Sequence, residues 1–488
     1  MGGEMIVKKF SVVSLLLLVA GIAVQAKSAS CDFTAPPPDA SKVAGSAAQA
    51  KEHPGKAYIE KNGYQGPSTC ESQGCHPGTA KKFLGTVHWK HASVVDNVDN
   101  VDNVEPGKEY GMKNRIYTMC NGNDLVNDLK EIPPNPKTGK TKFTGCNTCH
   151  PGNHISDVGS TGKDAESAID CLVCHSPFYD YRQRKPYKDG MGRVVMGQDR
   201  SVKAAMAVGK PGVKNCMACH EAAGGGVLLK RGFSFTKETD VHAANKMVCV
   251  DCHGAKDHRI PTGYDPNNWA NDGVRVACAD CHGEAPHKDE DKNRHAVRIA
   301  CQTCHIPRTG GALAKDFTKW TQGSDGFYEP TTLRMEANET APVYAWYNRT
   351  VANTPTFIGP KGSRADKESR IYPFKIYEGK AFFDRKTGQL LSMDFAPPMA
   401  TGDTLAGVAS AAKTLGIREY DPVPGWQTIY FGSNHLVTKE KALSCSNCHA
   451  QNGVLNFRAL GYSEEEIRKL TTAGIYFDKM VERQKEEW

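Results

Sequence analysis

One apolar stretch stands out in this chain. It runs from Val12 to Val24, after Lys8-Lys9 and before Val24-Gln25-Ala26. A basic start, a short hydrophobic middle and a small-residue end mark a secretory signal over residues 1–26. Beyond it no apolar run is long enough to span a bilayer, which excludes a multi-span membrane protein and predicts no span once the signal is removed. The remaining pattern is short and broken. Residues 27–69 are rich in Ala, Pro and Lys and read as an extended N-terminal arm. Residues 70–305 read as short helical turns set in loops. Asp96-Asn97-Val98 recurs twice more up to Val104 and reads as a polar surface loop. Residues 306–444 place Trp320, Phe327, Tyr328, Trp346, Tyr372 and Phe374 among turn signals and read as an aromatic-bearing wrap. In residues 445–488, Ser463 and Glu466 form a capping box ahead of an amphipathic helix to about Leu470. The fold class expected is mainly α with extensive irregular loops.

Composition changes this picture at one point. The 488 residues include 18 Cys and 17 His, too few cysteines for a disulfide scaffold and too many for a typical cytosolic enzyme. Seven pairs share one spacing ahead of a histidine: Cys146/Cys149/His150, Cys171/Cys174/His175, Cys216/Cys219/His220, Cys249/Cys252/His253, Cys278/Cys281/His282, Cys301/Cys304/His305 and Cys445/Cys448/His449. Chance alone would give about 0.02 such C-x-x-C-H motifs. The pattern is that of covalent c-type haem attachment. Two thiols bond the two vinyl groups on one porphyrin edge, and the adjacent imidazole reaches the iron. Disulfides or zinc do not explain the repeated His. Cys70 and Cys75, followed by His76, form an eighth site with a longer loop. Cys31 and Cys120 are left over. The cofactors expected are eight covalently bound c-type haems.

Eight histidines are therefore proximal iron ligands, and nine remain. A six-coordinate electron-transfer haem needs a second axial ligand, usually His or Met. The distal set read from the sequence is His88, His91, His154, His242, His258, His287, His295 and His435, with His53 the ninth spare residue. The stretch from Pro307 to Asn434 contains neither Cys nor His, so the histidine follows the haem sites. The 13 Met are scattered and read as packing residues. Residues 70–305 hold seven sites, about one per 34 residues. That is too little protein for a core around each, so the haems must pack into one chain and supply much of the apolar interior.

The formal charge of +7 falls to +6 once Glu4, Lys8 and Lys9 leave with the signal. Sixteen propionates, partly offset by the irons, would make the loaded protein acidic or near neutral. The basic sequence balance therefore does not point to nucleic acid.

Several strings have a family likeness: Thr86-Val87-His88-Trp89, Ile169-Asp170-Cys171-Leu172-Val173-Cys174-His175, Asp240-Val241-His242, Ala300-Cys301-Gln302-Thr303-Cys304-His305-Ile306-Pro307 and Asn434-His435-Leu436-Val437. In that order they resemble the octahaem c-type cytochromes of the tetrathionate reductase family, over about residues 70–462. The resemblance implies one catalytic haem with a lysine axial ligand and a nearby cysteine outside the haem motifs. Here it points to Cys120 and Lys210, and to the haem at Cys146/Cys149/His150. A buried lysine can ligate iron when its pKa is depressed. The alternatives are a plain buried thiol at Cys120, an exposed loop residue at Lys210, and His154 capping that iron instead. The first site departs from the family pattern by two extra residues between its cysteines.

Two functions follow as expectations. One is an exported oxidoreductase that carries electrons through packed haems to a lysine-ligated haem, where tetrathionate, nitrite or hydroxylamine is reduced. The other is a non-catalytic, all-bis-His conduit, as a periplasmic carrier or an extracellular cytochrome filament. Both place the chain in the periplasm or outside the cell. Both expect redox partner proteins as electron donors or acceptors, among them cytochromes and quinol-linked carriers, and allow a homo-oligomer or filament. The first adds a small oxyanion substrate.

Overall fold

The structure is a computed structural model. It describes residues 53–471 apart from 73–74, 95–97, 100–108, 112–128, 136–137, 145–148, 154–158, 222–233, 266–271, 274 and 337–338. The signal segment, Cys31, Cys120, Cys146, His154 and most of the Asp-Asn-Val repeat lie outside the described residues.

The cysteine-rich part is built from one- and two-turn helices. Cys171–His175, Val213–His220, Cys249–Cys252, Ala279–His282, Cys301–His305 and Cys445–His449 are four to eight residues long. A helical turn is what the motif spacing demands, because residues i, i+3 and i+4 share one face. Three motifs also supply their own cap. Asp251, Asp280 and Asn447, each just before the second Cys, accept a hydrogen bond from the amide of Val248, Ala277 and Ser444, at 2.8, 2.7 and 2.8 Å. In the first site the longer loop is closed by the His76 amide donating to the Cys70 carbonyl at 3.1 Å.

The mainly α expectation is corrected by the other half of the molecule. An eight-stranded mixed sheet is formed by β1 (Val98–Asp99), β2 (Ala312–Gln322), β3 (Tyr328–Glu336), β4 (Val343–Tyr347), β5 (Thr350–Asn353), β6 (Phe357–Lys361), β7 (Arg370–Asp384) and β8 (Pro422–Gly432). The order is β1-β5-β6-β8-β7-β2-β3, with β4 also paired to β7. β7 is the spine. It runs antiparallel to β8 from Phe374↔Gly432 to Asp384↔Pro422, antiparallel to β4 at its start, and parallel to β2 further on. Val98 and Asp99, expected in a polar loop, instead add a parallel strand beside Val351 and Ala352.

The sheet forms because this segment has no haem site and must make a core from side chains. In β8 the buried Gln427, Ile429 and Phe431 alternate with more exposed neighbours. Phe317, Val351, Ile358, Tyr377, Ile429 and Phe431 pack with Met393, Met399 and Val408 from the segment 391–414. Asp403 caps the helix Thr404–Thr414 by accepting from the Ala406 amide at 3.0 Å. The capping box expected near the C-terminus is present: Ser463 donates its amide to Glu466, and Glu466 donates its amide to Ser463 Oγ.

Two seams join the halves. Ile132 sits fully buried in the sheet's core, next to the Lys130–Asp394 ion pair of 2.7 Å. The helix Cys301–His305 docks on the start of β7, where the Ile371 carbonyl accepts from the Ala300 amide at 3.0 Å and from Thr303 Oγ1 at 2.8 Å. Ile132→Ala is expected to lower the unfolding free energy by about 2–5 kcal/mol, measured in denaturant melts by far-ultraviolet circular dichroism with haem content unchanged. A loss below about 0.5 kcal/mol would place Ile132 outside the shared core.

Candidate functional site

The short helices present each proximal imidazole toward a second imidazole from a distant part of the chain. Ring centroids are 6.2 Å apart for His76 and His53, 6.2 Å for His220 and His88, and 5.9 Å for His175 and His258. They are 6.1 Å for His282 and His242, 6.3 Å for His253 and His435, 6.0 Å for His305 and His287, and 6.1 Å for His449 and His295. The interplanar angles range from 8° to 72°, so ring stacking does not set these separations. Two metal–imidazole bonds of about 2 Å in line, with the distance from each nitrogen to its ring centre, place centroids about 6.3 Å apart. The pairs therefore fit an iron between them. They bring together His88, His242, His258, His287, His295 and His435 from the expected distal set. His53, outside that set, is the partner of His76. Its one sequence signal is that it is the spare histidine just upstream of the first site.

The polar surroundings fix which nitrogen is free. The Nδ1 atoms of His175, His253, His305 and His449 donate to the carbonyls of Gly209, Pro261, Thr438 and Leu470, at 2.9, 2.7, 3.0 and 3.0 Å. Among the distal residues, His295 donates to the Asp291 carbonyl at 2.7 Å, His242 pairs with Asp240 Oδ1 at 3.1 Å and His287 with Asn293 Oδ1 at 3.2 Å. A proton held on Nδ1 leaves the Nε2 lone pair for a metal. Asp240 also orders a second ligand loop, because its Oδ2 accepts from the Val437 amide, two residues past His435. Burial favours the neutral, ligating form of the rings. It pulls His88 and His435 down to about 4, helped by His91 and His253 respectively, and it lowers His175 and His258.

Three ligand segments carry a left-handed, non-glycine residue: His91 at φ 51°, His258 at φ 64° and Leu436, beside His435, at φ 71°. Such a backbone costs about 1–3 kcal/mol and persists only where its surroundings over-determine it.

The thiols also fix the order of the sites. Cys70 lies beside Cys171, Cys149 beside Cys219, Cys216 beside Cys249 and Cys278 beside Cys301. Cys174 and Cys219, Cys252 and Cys281, and Cys304 and Cys445 are close enough to interact electrostatically. Numbered along the chain, sites one, three, four, five, six, seven and eight form a line. Site two joins it at site four.

Site two differs in geometry as well. His150 is buried, and its Nε2 donates to the Trp89 carbonyl at 2.9 Å, while Nδ1 has no partner among the described residues. This is the reverse of the Nδ1 anchoring of His175, His253, His305 and His449. Its ring lies 5.3 Å from His91 and 4.6 Å from Trp89, tighter than the other pairs. A buried ion pair, Arg184 with Asp170 at 3.2 Å, adjoins it, and the same guanidinium holds the His150 carbonyl. Cys120, Cys146 and His154 lie outside the described residues. Lys210 is placed elsewhere. Its side chain is 63% exposed, and its ammonium sits 2.7 Å from Asp251, on the helix of site five. An ammonium in an ion pair has no lone pair to offer iron.

The bacterial cytochrome c family model matches residues 330–452, which cover much of the sheet and the last haem motif. An uncharacterised protein of Archaeoglobus fulgidus is 27% identical over 242 residues, or 43% of this chain and 80% of that one. The crystal structure of octaheme cytochrome c from Shewanella oneidensis superposes with a TM-score of 0.62 at 25% identity, covering 84% of this chain and 97% of that one. No described helix is long and apolar enough to cross a membrane. Together the solved structure and the family model support a multihaem electron-transfer cytochrome with covalently bound c-type haems.

Proposed function

We propose that this chain is an exported octahaem cytochrome that conducts electrons between redox partner proteins through closely packed bis-His haems. The observation that carries this reading is the set of seven imidazole pairs at 5.9–6.3 Å. When bound, the haems supply one-electron carriage. The paired imidazoles would hold each iron from its two sides. Carbonyls and carboxylates lock the tautomer of the imidazoles they contact, and the thiol contacts keep successive anchors adjacent. With two imidazoles to hold it, an iron at each of these seven pairs would have no position left for substrate, as carriage requires. The apolar run before Ala26 supports export.

A second reading is favoured by site two alone. There the His150 Nε2 is engaged by a carbonyl and the His91 spacing is short. On this reading the line of seven delivers electrons to site two, where a small sulfur or nitrogen compound such as tetrathionate, nitrite or hydroxylamine is reduced, as the tetrathionate reductase resemblance implies. Cys120 would then lie near the substrate. Lys210 would have to leave Asp251 to serve as the axial ligand.

Electron paramagnetic resonance of the fully loaded protein separates the two readings. The conduit predicts eight low-spin bis-imidazole haems and no substrate-dependent oxidation of reduced methyl viologen by tetrathionate, nitrite or hydroxylamine. One high-spin or lysine-ligated haem together with turnover would replace it by the second reading. Single replacements test the pairing. His53→Ala and His258→Ala are each expected to convert one haem from low to high spin and leave the other seven unchanged. His154→Ala is expected to convert none, because every described proximal ring already faces another imidazole. A spin change in His154→Ala would reassign site two.

A further inference from the structure

One buried polar cluster serves no iron ligand directly. The guanidiniums of Arg275 and Arg349 both lie over the Tyr264 ring, at 5.1 and 4.8 Å from its centre. Arg275 is buried, and its Nη1 donates to Thr262 Oγ1 at 3.1 Å and to the Gly263 carbonyl at 3.0 Å. Arg349 reaches the same ring from the turn between β4 and β5, where its backbone is left-handed at φ 69°. Beside them Tyr347, the last residue of β4, is 3% exposed, and its hydroxyl has no hydrogen-bond partner among the described residues. Asp265 is the acidic neighbour of that hydroxyl, and Arg275 and Arg349 are its basic ones. One carboxylate facing two guanidiniums leaves a net positive charge.

The cluster touches both ligand loops of site five. His253 Nδ1 donates to the carbonyl of Pro261, in the strand of chain that continues to Thr262 and Tyr264. Tyr372 lies edge-on to Tyr347 at 5.6 Å, and its hydroxyl donates to Asn434, the residue before His435. A buried phenol without an acceptor is costly, and two guanidiniums beside it complete the donor set that recognises a carboxylate.

We propose that Arg275, Arg349 and the Tyr347 hydroxyl form a carboxylate cradle, and that its occupant is a propionate of the haem anchored at Cys249 and Cys252. The proposal rests on the reading of site five as a bis-His haem. Cations held at a propionate favour the reduced iron, so the cradle sets the potential of this one site relative to its neighbours. A free oxyanion from solution has the same chemistry and is the competing occupant.

The test is a spectropotentiometric titration of the haem-loaded full chain, with haem number counted by mass. Arg275→Gln and Arg349→Gln are expected to keep eight haems, all low-spin, and to move one midpoint to more negative potential while the others hold. Tyr347→Phe should move the same midpoint in the same direction by less. Arg349 is exposed, so its variant keeps the test open if Arg275→Gln does not fold. Unchanged midpoints in all three variants would overturn the cradle. If added sulfate or nitrite shifts that midpoint in the unaltered protein, and the shift disappears in Arg349→Gln, the occupant is a free anion and the propionate assignment falls. A chain carrying seven haems with Cys249 and Cys252 unmodified would remove the reading on which the proposal rests.

Discussion

An iron in a porphyrin takes its two axial ligands from opposite sides of a flat ring, and the rest of this fold depends on that requirement. The proximal side is local, since one helical turn places two thiols and an imidazole on a single face. The distal side is not. His435 meets His253 from beyond the whole sheet, and His88 meets His220 from the one-turn helix Val87–Lys90 after the first site. Each pair must be held near 6 Å, too far for direct contact and too close for an intervening side chain. Holding buried imidazoles apart at this spacing gains nothing by itself, and His91, His258 and Leu436 add backbone strain. Metal binding offsets both, so in such a chain ligand geometry and folding are one equilibrium.

The two halves solve the packing problem by different means. Helices of four to eight residues are too short to be stable alone. Around the haem sites they are tied by carbonyl contacts such as Thr438 to His305 and Gly209 to His175. The sheet has its own aromatic and aliphatic core and can be rigid without a cofactor. Its β7 strand anchors the helix Cys301–His305, and the chain leaving β8 carries His435 to site five and Thr438 to site seven. The sheet is therefore the frame against which sites five and seven are registered.

The motifs were fully legible in the sequence, because their chemistry is contained within five adjacent residues. Composition singled out the six spare histidines whose rings here face a motif histidine, since the spare histidines stop where the haem motifs stop. Their pairing was not, because no local pattern says that His295 faces His449 rather than His305. The strands were hidden for another reason. In β7 the run Ile371–Lys375 is buried throughout, so the period-2 alternation that would reveal a strand is lost, and the aromatics read as a wrap. His53 was obscured by the Ala/Pro/Lys-rich arm around it. Lys210 was placed by resemblance alone. Its position on Asp251 reflects a carboxylate that already caps the site-five helix and is available to pair with it.

The order of the thiol contacts gives the two functional readings unequal weight at different places in the molecule. Seven sites in line are sufficient for carriage from one end to the other. Site two adjoins that line through Cys149, which lies beside the site-four thiol Cys219, and its second anchor Cys146 is outside the described residues. Site two stands apart in its geometry. It is also where the imidazole anchoring is reversed and where a buried Arg184–Asp170 pair is placed beside the proximal backbone. A buried ion pair is seldom retained for stability, because desolvation of both charges offsets most of their attraction. The seven regular imidazole pairs weigh toward conduction, and the different geometry at site two is what the second reading rests on.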